Sequence, residues 1–314
     1  MKPILFIHIP KTAGTSLNAS AEAYFGKDAI EKDYGAEAPH TTALVRQHIY
    51  GPDTVDQFGF TESFLIDRKA WLTGHFSADR YLQFLGCENV ISFVREPVER
   101  VISEYLYLKR TQRMERSFEE FYRHPHETNK QYSFVGRFPW QAFHFIGTQE
   151  RYADGLAHLS ETLAIPIEIQ TKNIRKDQSH LEIDDATRQD IAAWNERDIA
   201  FYTAVCAYME KQFVARETGQ AFCFHDVGFV PGQHAIGWAF YEGSNAAVNI
   251  DLYVDDKCVS SVLASEHVPE LHWVNAPRKG CVGFRFVLDD YTAASKIEIK
   301  AQQTNQTLFS WMQD

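Results

Sequence analysis

Cysteine is sparse in this chain: five residues in 314, at positions 87, 206, 223, 258 and 281. Their odd number and scattered spacing exclude a disulfide framework and a metal-ligand pattern, and fit a reducing, cytoplasmic setting. Long apolar runs are missing as well, and no transmembrane segment is expected, because nothing approaches the roughly twenty residues that a span requires. The opening run MKPILFIHIP is bounded by Pro10. It is too short for the apolar core of a secretory signal and reads as a buried strand. There is no internal repeat and no low-complexity tract. Positive charge is outnumbered, with 31 Lys and Arg against 42 Asp and Glu and a formal net charge of −11. That balance argues against nucleic acid or an anionic membrane surface as partner. A small anionic ligand needs only a local cationic cradle and is not excluded.

What is present supports a sizeable core: 45% of the residues are hydrophobic and 14% aromatic. The length suits one large and one small domain. Residues 4–9 form an almost unbroken apolar run, as expected for a parallel strand covered on both faces. A turn at residues 10–14 leads into a helix over 15–25. A second apolar run, 89–94, ends at Arg95, and Pro97 is placed to open a helix in which Val98, Val101, Ile102, Tyr105 and Leu106 recur at helical spacing. Two strand–loop–helix units predict an α/β domain with a parallel sheet flanked by helices, over residues 1–219. Residues 26–66 and 124–140 read as long loops, and 186–216 as a helix closing this domain. From residue 220 the pattern becomes short alternating runs at 234–241, 247–254, 258–264, 283–288 and 295–301. Hairpin turns are expected at residues 243–245 and 255–256. Residues 220–314 are therefore expected to form a small all-β sandwich.

Two segments carry chemistry. The first is Pro10-Lys11-Thr12-Ala13-Gly14-Thr15-Ser16, between strand and helix. Backbone N–H groups at a helix start, with the hydroxyls of Thr12, Thr15 and Ser16, make an anion cradle. Gly14 allows close approach and Lys11 adds a point charge. An ordinary turn with capping hydroxyls would use the same residues. The lysine precedes the glycine, so this is not the G-x-x-x-x-G-K-[ST] loop of nucleoside-triphosphate enzymes. A phosphotransferase using such a nucleotide loses its main support. The second segment runs from Val94 through Arg95 to Ser103. An arginine fork at a strand end and a serine two turns into the following helix can hold a second phosphate, although Arg95 can equally pair with a nearby glutamate.

The pair FIHIPKTAGTS and VREPVERVISEY resembles the sulfotransferase superfamily, most closely the branch containing heparan sulfate 2-O-sulfotransferase and many bacterial relatives. The resemblance covers roughly residues 3–215. It implies a P-loop-like sulfotransferase fold and 3′-phosphoadenosine 5′-phosphosulfate (PAPS) as donor. It also implies Lys11, Thr12, Ala13, Gly14, Thr15 and Ser16 at the 5′-phosphosulfate, and Arg95 and Ser103 at the 3′-phosphate. In that branch a histidine in a G-H segment is the catalytic base, which implies that role for His75 in Leu72-Thr73-Gly74-His75-Phe76. A neutral imidazole suits proton abstraction near pH 7. Where heparan sulfate 2-O-sulfotransferase has a second histidine two residues earlier, this chain has Thr73. The expected chemistry is in-line transfer to a hydroxyl, with Lys11 and the loop amides stabilising the leaving phosphate and no metal. His8 reads as a core residue. A basic segment, residues 171–176, falls where relatives close a loop over the adenosine.

The tail, residues 221–314, carries eleven acidic and six basic residues and no constellation of nucleophile and base. It resembles small β modules of bacterial glycan-processing enzymes, which implies a glycan or glycolipid acceptor. Trp238, Tyr241, Trp273 and Trp311 are either sugar-stacking platforms or core. A non-catalytic protein that binds nucleotide and glycan is the alternative reading of the whole chain.

Overall fold

In a computed structural model, residues 2–51, 55–167 and 182–313 are described. The basic segment 171–176 lies outside them. Two compact units emerge: Met1–Leu85, Asn89–Trp140 and Phe145–Glu210 form the first, while Gly86–Glu88, Gln141–His144 and Lys211–Asp314 form the second.

The first unit runs β1 (Ile4–Ile7), α1 (Gly14–Phe25), β2 (Ile30–Asp33), α2 (Ala43–Ile49), α3 (Gln57–Ile66), β3 (Trp71–Gly74), α4 (Leu82–Leu85) and β4 (Val90–Val94). It continues with α5 (Pro97–Arg110), α6 (Phe118–Tyr122), β5 (Phe145–Thr148), α7 (Tyr152–Thr162), α8 (Asp185–Trp194) and α9 (Glu196–Glu217), the last of which runs on past Glu210 into the second unit. The strands form one parallel sheet in the order β2-β3-β1-β4-β5. β1, β3, β4 and β5 are buried at every position, in keeping with helices over both faces. The helix expected over 186–216 is two helices meeting at Asn195, whose side chain donates to the Ile191 carbonyl at 2.8 Å.

The stretch expected as loop, 26–66, contains an edge strand and two helices instead. β2 reads Ile-Glu-Lys-Asp, and its charges hide it from a hydrophobic pattern. Glu31 and Asp33 are nonetheless buried, which is tolerable only because each is paired. Glu31 meets Lys69 at 3.0 Å. Asp33 accepts from the Tyr50 hydroxyl at 2.7 Å, the Tyr81 hydroxyl at 2.8 Å and the Arg80 guanidinium at 2.8 Å.

The second unit holds β6 (Cys223–Val230), β7 (His234–Tyr241), β8 (Val248–Val254), β9 (Lys257–Ala264), β10 (Glu266–His267), α10 (Pro269–Trp273), β11 (Cys281–Val287), β12 (Lys296–Ala301) and β13 (Gln306–Met312). Two antiparallel sheets, β10-β11-β7-β6 and β13-β12-β8-β9, share one core in which Ala239, Phe284 and Phe286 meet Ile250, Leu252, Ile297 and Ile299. This is the expected sandwich. Asp255 and Asp256, both at positive φ (46° and 66°), make the two-residue hairpin between β8 and β9. Residues 243–245 do not make a hairpin: β7 and β8 lie in different sheets, so this turn carries the chain from one layer to the other.

Candidate active site

Ile7 of β1 pairs with Gly74 of β3 on one side and with Ser92 of β4 on the other. The chain leaves these three central strands at the same edge, delivering the loop of residues 10–16 after β1, His75 after β3 and Arg95 after β4. The carboxyl edge of a parallel sheet, next to the strand where connections diverge to both sides, is where such folds bind ligands. All the residues expected at the chemistry therefore issue from adjacent strands.

In the first loop Lys11 and Ala13 both take left-handed conformations, at φ 71° and 70°. Non-glycine residues adopt them at a cost that surrounding structure must hold in place, and strain of this kind collects at functional sites. Ala13 occupies the cap position of α1 and offers no side-chain oxygen, so no side chain caps the first N–H groups of that helix. These amides, with the positive end of the helix dipole, are available to an anion. Thr12 is fully buried, and its hydroxyl donates to the Ile9 carbonyl at 2.9 Å. It braces the loop and offers an anion its amide. Thr15 is exposed and Ser16 half-buried. Gly14 has a second reason to be glycine: a methyl group there would lie 2.3 Å from the His8 ring.

His75 begins directly after β3, and its N–H donates to the Asp33 carbonyl at 2.9 Å. Its ring packs edge-on against His8, with centroids 4.9 Å apart, and against Tyr34 at 4.7 Å. The residue is nonetheless exposed. The protein packed against the ring, helped by the positive charge of Lys130, lowers its pKa to about 4. His75 is thus a neutral, proton-accepting imidazole across the neutral range. His8 is buried at the end of β1, with Nδ1 3.2 Å from the Tyr34 hydroxyl, and Asn18 donates to that hydroxyl at 3.0 Å. Burial first, then the charges of His75 and Lys11, lower the His8 pKa to about 3. The core reading of His8 is therefore incomplete, since it also abuts both Gly14 and His75.

Arg95 is held by its backbone. Its N–H donates to Gln131 Oε1 and its carbonyl accepts from Gln131 Nε2, both at 2.8 Å. The buried Gln131 acts here as one more rung of sheet, and its own N–H and that of Tyr132 donate to Asp198. The start of α5 differs from that of α1. Pro97 opens it, and the Glu96 carboxylate accepts from the Val98 and Glu99 amides at 3.1 and 2.8 Å. No amide is left there for an anion, so a phosphate at this end must rely on side chains. Ser103 is half-buried on α5. Tyr107, one turn further on, lies under the Lys11 ammonium, 4.3 Å from its ring centroid. Residues four apart on a helix are neighbours, so Tyr107 links Lys11 of one segment to Ser103 of the other. Sequence reading missed Tyr34, Gln131 and Tyr107. Tyr107 alone left a trace, at four-residue spacing from Ser103 in the same helical pattern.

In the sandwich unit Trp238 and Tyr241 are buried and Trp311 packs against the core, which removes them as stacking platforms. Trp273 is 39% exposed and keeps that possibility. Among the described residues no cluster of three or more metal-ligating side chains occurs, and no helix is long and apolar enough to cross a membrane.

The buried histidines make acid stability testable. His8 in the first unit and His225 in the second both have pKa values lowered to about 3, chiefly by burial. Unfolded imidazoles titrate near 6.5, so below that pH the unfolded chain takes up protons that the folded chain refuses. Stability is full above pH 6.5 and falls as pH drops toward 3, by up to about 1.4 kcal/mol per pH unit for each group. Urea melts at pH 7 and pH 5 should show a clear loss at pH 5, and equal stability would contradict the assignment.

Residues 1–203, well over half of the chain, match the model of the sulfotransferase family. A sulfotransferase from Alicyclobacillus acidocaldarius is similar in structure, at 15% sequence identity and a TM-score of 0.34, over 65% of this chain and 95% of that one. Comparison with curated proteins gave no match.

Proposed function

The chain belongs to the sulfotransferase family, and we propose that it moves the sulfuryl group of PAPS onto a hydroxyl of a glycan or glycolipid. The observation that carries this reading is the convergence of the loop of residues 10–16, His75 and Arg95 at one edge of three adjacent strands. The uncapped start of α1 and the left-handed Lys11 and Ala13 suit the 5′-phosphosulfate, which needs several amides aimed at one point. Arg95 and Ser103 are assigned to the 3′-phosphate. In the reaction an imidazole nitrogen of His75 takes the acceptor's hydroxyl proton while that oxygen attacks sulfur. The bond between sulfur and the bridging phosphate oxygen breaks in line, and adenosine 3′,5′-bisphosphate leaves with the electron pair. Lys11 and the loop amides neutralise the charge that develops on that oxygen. Cationic side chains carry the neutralisation, so the scheme needs no metal. The acceptor class rests on the sandwich unit and its exposed Trp273.

Adenosine 3′,5′-bisphosphate should bind far more tightly than adenosine 5′-monophosphate. Loss of a charge-assisted pair costs about 1.5–3 kcal/mol, so Arg95→Ala should weaken bisphosphate binding on the order of tenfold or more. Calorimetric titration checks both, and equal affinity for the two nucleotides would sink the donor assignment. Labelled PAPS offered with a panel of saccharides and lipids, read by mass spectrometry, identifies the acceptor.

A further inference from the structure

Arg95 has an acidic neighbour on the very stripe assigned to the donor. Glu99, in the first turn of α5, lies one helical turn before Ser103, and Arg95 stands just ahead of the helix. Glu99 Oε2 lies 4.0 Å from Arg95 Nη2. A dianionic phosphate held by Arg95 and Ser103 would meet this carboxylate at close range, and like charges at such range are strongly unfavourable. The other oxygen of Glu99 is gripped from a different helix: Arg188 Nη1 of α8 lies 2.8 Å from Glu99 Oε1. The grip has a firm base. Val98, Val101 and Ile102 of α5 pack with Ile191 of α8 and Phe121 and Tyr122 of α6 in one buried cluster. The Asp184 carboxylate fixes the start of α8 by accepting from the Thr187 amide at 2.7 Å. Arg188 and Glu99 themselves are about two-fifths exposed, so their pairing adds little to stability and invites another explanation.

We propose that Arg188 is a positioning residue for the donor: it draws Glu99 off Arg95 and neutralises it, so that the gap between Arg95 and Ser103 accepts a 3′-phosphate. The inference rests on the assignment of Arg95 and Ser103 to that phosphate. Glu99 then works as a selectivity element, because without an incoming phosphate it is the foremost of the carboxylates, with Glu150 and Glu96, that act on Arg95. Arg188 sets how strongly it competes.

The test is calorimetric titration of adenosine 3′,5′-bisphosphate and adenosine 5′-monophosphate against the full chain and three variants, Arg188→Ala, Glu99→Gln and the double variant. Arg188→Ala should weaken bisphosphate binding about five- to tenfold and leave the monophosphate unchanged, and this difference should shrink at high salt. Glu99→Gln should tighten the bisphosphate, and in the double variant it should restore what Arg188→Ala loses. A structural role for Arg188 would lower affinity for both nucleotides and would not be rescued. Unchanged bisphosphate affinity in Arg188→Ala, or failure of Glu99→Gln to rescue it, overturns the proposal. Should Arg188→Ala not fold, Glu99→Gln alone decides, since unaltered affinity there also overturns it. If the unsubstituted protein shows no preference for the bisphosphate, the donor assignment itself has failed. A preference that persists while the variants stay silent condemns only the role of Arg188.

Discussion

Alanine at His75 should lower turnover about 10²- to 10⁴-fold and leave the affinity for adenosine 3′,5′-bisphosphate nearly unchanged. The side chain contributes a proton-accepting nitrogen, whereas the donor is assigned to the loop of residues 10–16 and to Arg95. The pH dependence makes the prediction sharper. An imidazole with an ordinary pKa of about 6.5 would already be half protonated, and half useless as a base, at that pH. His75 sits lower, at about 4, because the protein against its ring partly desolvates it and Lys130 repels the proton, although the residue as a whole is exposed. Activity attributable to its base form should therefore stay level as pH falls from 8 past 6.5, and decline only toward pH 4. Brief assays at each pH separate this limb from the slower acid unfolding expected of His8. Near-normal turnover in His75→Ala with a saccharide acceptor would hand the role of base to another residue. An acid limb centred near 6.5 would contradict the environment described for the ring.

The second large effect is structural and falls one residue earlier. Gly74→Ala would put a methyl carbon 1.7 Å from the Asp33 carbonyl oxygen and 2.5 Å from its carbon. The obstacle is backbone of the neighbouring strand, so no rotamer change relieves it. β2 and β3 would have to part at the point where the His75 N–H bonds that same carbonyl. The expected loss exceeds about 3 kcal/mol, which for a folding unit of roughly 200 residues, the size of the first unit, lowers the melting temperature by about 6–12 °C. Gly228→Ala is the control. It lies on strand β6 of the sandwich, where an added methyl meets nothing nearer than 3.6 Å, and should be close to neutral. A Gly74→Ala protein melting within about 2 °C of the unsubstituted one would show that the edge of the sheet yields more readily than its register implies.

What could be read in advance follows the physics of each element. β1 and β4 are central strands, buried on both faces, so their apolar runs stand out, and the turn residues after them carry chemistry in their side-chain types. Lys11 and Arg95 could be placed at the ends of β1 and β4 on that ground, and His75, after β3, through the resemblance of its segment; the roles given to all three are proposals. β2 was not, because its two acids are buried as ion pairs, and a polar residue in the sequence does not announce a partner 38 or 47 positions away. Gln131 was hidden for a similar reason: it stands in a stretch without periodicity, and its value lies in two bonds to the backbone of Arg95. Gly14 was marked only for the close approach of an anion, and the structure adds that a side chain would not fit there. The residue that excludes one is His8, a contact between strand end and helix start that spacing alone does not reveal.

The order of the sheet also governs when the site comes into existence during synthesis. β1 precedes the other four strands of its sheet in the chain, yet it ends in the middle, between β3 and β4. The bond from the Ser92 hydroxyl to the Ile7 carbonyl spans 85 residues. A nascent chain that has been made only as far as residue 25 already carries the whole loop of residues 10–16, but lacks β3 and β4, the strands that flank β1 in the sheet that holds Lys11 and Ala13 in their left-handed conformations. The cradle is thus a late product of translation. Until residue 94 has emerged, β1 remains an apolar strand with an unpaired edge, and the hazard of early association falls on the same segment that later supports the chemistry.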